Sequence, residues 1–196
     1  MQLHKRDVVD KATAILDSYG IADLTMRRLA RELDVTPGAL YWHFANKQQL
    51  LGAVADQVLR PACTDVPSTD WRQRIRVVCA RLRDALLSHT DGAELVSASF
   101  AAGQSRSVEH IVTVLAEAAA EAGIAAERSG PAARTIVYYV LGATADEQSR
   151  MQWDVAGALP ERQSVIEPSA DPGSGFDFGL RLLVDGIAVQ SAQSVS

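Results

Sequence analysis

The chain has 196 residues, 47% of them apolar and 22% charged, with a net charge of −5 and two cysteines. That length suits one medium domain, or a small domain joined to a larger one. No apolar run approaches the ~20 residues of a membrane span, and residues 1–6 lack the apolar stretch of a signal peptide, so the chain is expected in the cytoplasm. Cys63 and Cys79 form no CxxC and have no histidine at ligand spacing, which reads as two reduced, packed thiols. Neither a metal nor another cofactor is expected.

In chain order, the first signal is the recurrence of Val8, Ala12, Ile15, Leu16 and Tyr19 on one helical face, stopped by Gly20. Thr25 is placed to cap a second helix, whose apolar stripe is Met26, Leu29, Ala30 and Leu33. Arg27, Arg28 and Arg31 fall off that stripe and are expected to face solvent or a partner. Asp34 ends the helix. Thr36 and Pro37 open a third, with a hydroxyl at the N-cap and proline at the first helical position. This helix is expected to run through Gly38, Ala39, Leu40, Tyr41, Trp42, His43 and Phe44. Leu40, Phe44 and part of Trp42 read as core, with Tyr41 and His43 unable to share that buried face. Asn46 and Gln49 suggest a capping box for a fourth helix carrying Leu50, Leu51, Val54, Val58 and Leu59.

Two short helices across a tight turn, backed by a third, make a helix-turn-helix, the second of the pair being the one that enters a major groove. The charge balance permits this. Residues 1–47 carry Lys5, Arg6, Lys11, Arg27, Arg28, Arg31 and Lys47 against Asp7, Asp10, Asp17, Asp23, Glu32 and Asp34, so the excess acid lies in the remainder. Local clustering of bases, not the overall sum, decides phosphate binding.

Downstream, Pro61 and residues 65–70 mark a boundary. Asp70 can cap a helix with the stripe Trp71, Ile75, Val78, Leu82 and Leu86. Another helix runs from Ser105 or Ser107 to Ala122, stopped by Gly123. Pro131 is expected to begin the next at its first turn, with Ile136, Val137, Val140 and Leu141 beside Tyr138 and Tyr139. Residues 155–175 read as a mobile loop with at most a helical turn. A last helix carries Phe176, Phe178, Leu180, Leu182, Leu183, Val184 and Ile187. Helices apolar on most of their circumference are buried on most sides. Here that suggests a subunit interface, a central core helix being the other reading. Two-fold dimers are the commonest soluble oligomers. His110, and Asp146 with Glu147 near Gln148, read as solvated helix faces. The whole is expected to be all-α: a DNA-binding domain over residues 1–47, a connecting helix over 48–66, and an effector-binding and dimerisation domain over 67–196.

The run from Leu24 to Ala30, the run from Val35 to Phe44 containing Tyr41-Trp42-His43-Phe44, and the Asn46-Lys47…Leu50-Leu51 continuation resemble the DNA-binding domain of the TetR family. Trp71-Arg72, the run from Ala85 to Ala93, Leu141-Gly142-Ala143 and the run from Phe178 to Leu183 resemble the C-terminal domain of its tetracycline-repressor subgroup. The resemblance implies a ligand-released, homodimeric repressor and not an enzyme. By it, Arg27 is expected to read a base edge, guanine, and Thr25, Thr36, Tyr41, His43 and Lys47 to hold phosphates. Pro37 and Ala39 fall where the family places side chains on bases, and apolar contact with thymine methyls serves here instead; Gly38 and Ala39 are small enough for the backbone to approach the duplex, and Trp42 is counted among the DNA-contacting residues. Asp34 stands where the family usually has glycine, and Asp tolerates a left-handed backbone better than most residues.

The same resemblance places Val96, Val78, Leu115 and Cys63 where the subgroup uses histidine, asparagine, glutamine and histidine for its magnesium-chelated drug; Asp146 alone keeps an acid. A hard cation needs oxygen ligands and ordered waters, so tetracycline is not expected. What remains is an apolar cavity lined by Val78, Leu82, Val96, Ser99, Phe100 and Leu115, suited to a largely apolar small molecule. Two alternatives stand beside it: a DNA-binding module controlled by a partner protein, and an enzyme using that cavity. The DNA partner is expected to be a palindromic double-stranded operator.

Overall fold

The structure, a computed structural model, describes residues 3–64, 70–158 and 172–193. These form nine α-helices with no strand among them: α1 (Lys5–Tyr19), α2 (Met26–Glu32), α3 (Pro37–Tyr41), α4 (Lys47–Val58), α5 (Trp71–Leu87), α6 (Gly92–Ala101), α7 (Arg106–Glu121), α8 (Ala126–Val155) and α9 (Pro172–Gln193), with a 3₁₀ turn at Arg60–Cys63 after α4. Helices α1–α3 form a small head. Helix α4 packs on α1 and runs into the body, where it meets α6 and α7. In the body α8 lies against α5, α6, α7 and α9. At 30 residues α8 is about 45 Å long.

Local chemistry starts most of these helices. Thr25, Thr36, Asn46, Asp70 and Ser105 each accept a backbone N–H of the first turn, from Arg28, Ala39, Gln49, Arg72 and Val108 respectively. Each such cap is worth about 1 kcal/mol. The capping box at Asn46 differs from expectation in one bond. Gln49 Oε1 accepts from Ala45 N, not from Asn46.

Helix α3 is shorter than its sequence suggests. It ends at Tyr41, and Trp42 is its C-cap. Trp42 is 91% exposed, so no part of it is core; Leu40 and Phe44 fill the interior instead. Tyr19 also leaves the expected apolar face. It is half exposed, and the Arg28 guanidinium sits 3.6 Å above its ring. Arg28 itself does not face outward freely, since it also pairs with Asp23.

Three further expectations change in the body. Helix α8 begins at Ala126, and Pro131 lies inside it rather than at its start. Pro131 is the sixth residue of the helix, beyond the first turn whose N–H groups have no acceptor, so it removes one ladder bond, the one to Glu127 O. Residues 172–175, read as loop, belong to α9, while residues 159–171 lie outside the described residues, as do residues 65–69 of the expected boundary. Glu147 is not on a solvated face. Its carboxylate makes two bonds to Arg83, at 3.0 and 2.7 Å, bracing α8 against α5. Gln148 is used as well, its amide bonding Leu86 O, His89 O and Ala93 N. Asp146 and His110 are exposed.

The core runs continuously from the head through α4 into the body. Tyr139 joins α8 to α9, donating to Phe176 O at 2.7 Å and stacking on its ring; burial, and Asp177 nearby, push its phenol upward. Helix α4 is held to the start of α7 by Asp56, whose carboxylate accepts from Ser105 Oγ and Ser107 N.

Candidate nucleic-acid interface

Helices α2 and α3 are joined by a turn that uses Asp34 at φ +54°. Asp34 N bonds Arg31 O and Val35 N bonds Ala30 O, the paired 5→2 and 6→1 bonds of a Schellman end. Those bonds close the last carbonyls of α2 and aim the chain into Thr36. The Thr36 cap and Pro37 then start α3 at once. Lys5 Nζ lies 4.8 Å from the centre of the Phe44 ring, and Phe44 N closes on Leu40 O, which seats the far end of α3 on α1.

Of the ten sequence-predicted contact residues, Thr36, Pro37, Gly38, Ala39, Tyr41, Trp42 and His43 lie on α3 or next to its ends, Thr25 and Arg27 start α2, and Lys47 starts α4. Thr25, Arg27, Thr36, Pro37, Gly38, Tyr41 and Trp42 are exposed; Ala39, His43 and Lys47 are half-buried; none is in the core. The first turn of α3 presents only Pro37, Gly38 and Ala39, so the helix can approach a duplex closely by backbone. Tyr41 and Trp42, large and exposed, are aromatic surface that the fold itself does not use. Among the described residues no acid pairs with Arg27, on α2, whereas Arg28 pairs with Asp23. The chemistry available is phosphate contact from hydroxyls, imidazole and ammonium, and base-edge contact from one guanidinium.

The six side chains expected around an effector fall in the body, on α5, α6 and α7. Val78, Leu82, Val96, Ser99 and Leu115 are buried in the common core, and Ser99 Oγ donates to Leu95 O. Phe100 is half-buried, its ring 5.6 Å from that of Tyr138. An apolar groove of about 350 Å³ lies elsewhere, between α8 and α9, lined among others by Ile124, Ile136, Leu183 and Ile187. Among the described residues, no group of three or more His, Cys, Asp or Glu could hold a metal ion, and no helix is long and apolar enough to cross a membrane.

Sequence reasoning missed α6 as a helix and passed over Asp91 at its start. Asp91 precedes Gly92 at φ +53°, and its carboxylate does not cap the helix it opens. An Asp-Gly pair ahead of an apolar run was the available signal.

Two family models together cover most of the chain. "Bacterial regulatory proteins, tetR family" matches residues 8–54, and "Tetracyclin repressor-like, C-terminal domain" matches residues 64–191. The chain belongs to the TetR family. It is a DNA-binding transcriptional regulator, and its relatives are regulators rather than enzymes. Among curated relatives, the class E tetracycline repressor of Escherichia coli is 31% identical, covering 94% of this chain and 90% of its own. The class A repressor from transposon 1721, also of Escherichia coli, is 33% identical over 95% and 91%. Among solved structures, Mycobacterium smegmatis BioQ is 63% identical with a TM-score of 0.89, over 96% of this chain and 99% of that one. BioQ with its natural double-stranded DNA operator is 61% identical with a TM-score of 0.83, over 95% and 99%.

Proposed function

We propose that this regulator is a homodimeric repressor that binds a palindromic operator through α3 and releases it when a largely apolar small molecule binds the body. The observation that carries the DNA half is the 61%-identical relative seen on its own operator, and it is supported by ten candidate contacts on α2, α3 and the start of α4 that are all exposed or half-buried. Within that reading, residues 1–47 form the reading head, 48–66 the connection and 67–196 the effector and dimerisation domain. Arg27 reads a base; Thr25, Thr36, Tyr41, His43 and Lys47 hold phosphates; Pro37, Gly38, Ala39 and Trp42 face the groove.

Dimerisation is supported by apolar side chains the body leaves outside. Phe178, Leu182 and Val189 recur along one side of α9, each more than half exposed, and Tyr138 is exposed on α8. Two copies joined there present two heads to successive major grooves. Release follows if the effector prefers a conformer with misplaced heads, because a ligand shifts an equilibrium only by its differential affinity. The site favoured is the one lined by Val78, Leu82, Val96, Ser99, Phe100 and Leu115. Their close packing calls for a core that opens around the ligand, and tetracycline, lacking its polar partners here, is not the effector.

Selection of bound genomic fragments by the purified protein tests the first half: one enriched palindrome is expected, and no enrichment over random DNA refutes it. A thermal-shift screen against apolar compounds tests the second. Stabilisation by a compound that also releases operator is expected. Operator binding without any stabilising compound favours control by a protein partner, and turnover of a hit would make the cavity catalytic.

A further inference from the structure

Asp91 occupies the N-cap position of α6, where aspartate ordinarily accepts from its own helix. It makes no such bond and holds a left-handed backbone, which costs an L residue free energy. Its carboxylate is used across the molecule instead. Oδ2 accepts from Ile21 N, in the turn between α1 and α2, at 3.0 Å. Oδ1 accepts from Gln152 Nε2, on α8, at 2.8 Å. The head's side of this contact is shaped to it. Gly20 has φ +78°, and a Cβ there would lie 2.5 Å from Asp91 Oδ2.

The neighbours reinforce both sides. Thr90 Oγ1 donates to Asp17 O at the end of α1, and His89 Nδ1 lies 2.9 Å from the Asp17 carboxylate. On the opposite side, Gln148 grips the same turn through Leu86 O, His89 O and Ala93 N. The head is thus joined to the body covalently through α4 and, well away from it along the chain, by hydrogen bonds through residues 89–91. A body held at one helix can swing about it; a second attachment fixes its angle.

We propose that Asp91 is a positioning residue for operator recognition, a strut that sets the angle of the reading head against α8. It touches no DNA. Its contribution is to hold the head so that α3 of each subunit meets its half-site at one spacing. This rests on the two-headed reading given above.

The test compares wild type, Asp91→Gly and Asp91→Asn on the selected operator and on versions with one or two base pairs inserted or deleted at its centre. Glycine keeps the turn, since it adopts the left-handed backbone freely, but removes the strut. Asparagine also tolerates that backbone, can accept from Ile21 N through its oxygen, and can donate to Gln152 once that amide flips. Wild type should favour the native spacing by about tenfold or more, because half-site separation is fixed by geometry. Asp91→Gly should bind all spacings within about threefold of one another, with random-DNA affinity unchanged. Asp91→Asn should follow wild type. A peaked wild-type profile with an equally peaked Asp91→Gly profile overturns the strut alone, as does an Asp91→Asn profile as flat as glycine's. A flat wild-type profile overturns the two-headed reading itself, and the proposal with it.

Discussion

Replacing Glu147 by alanine isolates one long-range interaction whose size can be worked out. The side chains of Arg83 and Glu147 are 17% and 12% exposed, and their paired bonds measure 3.0 and 2.7 Å. Breaking a buried ion pair by removing one partner costs about 3–5 kcal/mol, because the remaining charge is left uncompensated. Here some water reaches both groups, and the guanidinium keeps the Phe176 ring 5.2 Å away as a partner. The cost therefore falls at or just below the lower end of that range, about 2–3 kcal/mol, or roughly 4–12 °C in midpoint for a chain of this size. Replacing both, as Arg83→Met with Glu147→Leu, removes the charge and its partner together and should cost under about 1.5 kcal/mol. The assay is chemical unfolding of wild type, both single variants and the pair, at one protein concentration so that subunit association does not confound the comparison. A double variant as unstable as the two singles added together would refute the argument, for it would mean the two side chains act independently.

Three further outcomes are expected. Arg27→Ala should weaken operator binding by about 1–3 kcal/mol while leaving random-DNA binding nearly unchanged; a competition assay reads both, and equal losses would reduce Arg27 to a phosphate contact. Asp34→Gly should raise stability by about 0.5 kcal/mol, since glycine meets φ +54° without strain but orders a freer chain, as thermal unfolding can measure. Burial pushes the Cys79 thiol well above its ordinary range, so the folded state keeps its proton where the unfolded state releases it. Stability is therefore fully present below about pH 8.5 and falls above it, by about 1.4 kcal/mol per unit for this one group. Cys79→Ala should flatten that alkaline decline, and an unchanged slope would remove Cys79 as its source.

The helix starts were legible wherever the signal was a single side chain bonding a backbone group two or three residues on: Thr25, Thr36, Asn46 and Asp70 cap as read, and of the two serines offered as a start it is Ser105 that caps. Stripes such as Leu29–Ala30 and Ile75–Val78–Leu82 told which face would be buried. What failed depended on partners distant in sequence. Glu147 resembled a solvated acid until Arg83 was brought to it. Arg28 was expected to face solvent or a partner, and its partners, Tyr19 and Asp23, lie within the head itself. Trp42 and Tyr19 were misplaced because an aromatic ring suits a core or a surface equally well by composition, and backbone geometry decides between them. Helix α6 was hidden by Asp91, which gives up the usual capping bond that would have marked it. Within the head, the candidate contact residues come from one extended motif and lie exposed or half-buried, while the Asp91 bonds behind them had no sequence signal.

The enclosed Arg28 has a consequence for how steeply binding responds to salt. Counting basic residues near α2 credits each copy with three arginines, but Arg28 already has an acid and an aromatic face for company. A cation neutralised at home displaces no condensed ion from a phosphate, and each phosphate contact contributes a slope of about 0.9 in the logarithm of affinity against salt. A two-headed complex should therefore release about two fewer counterions than its arginine count suggests. The head has spent that charge on holding its own shape.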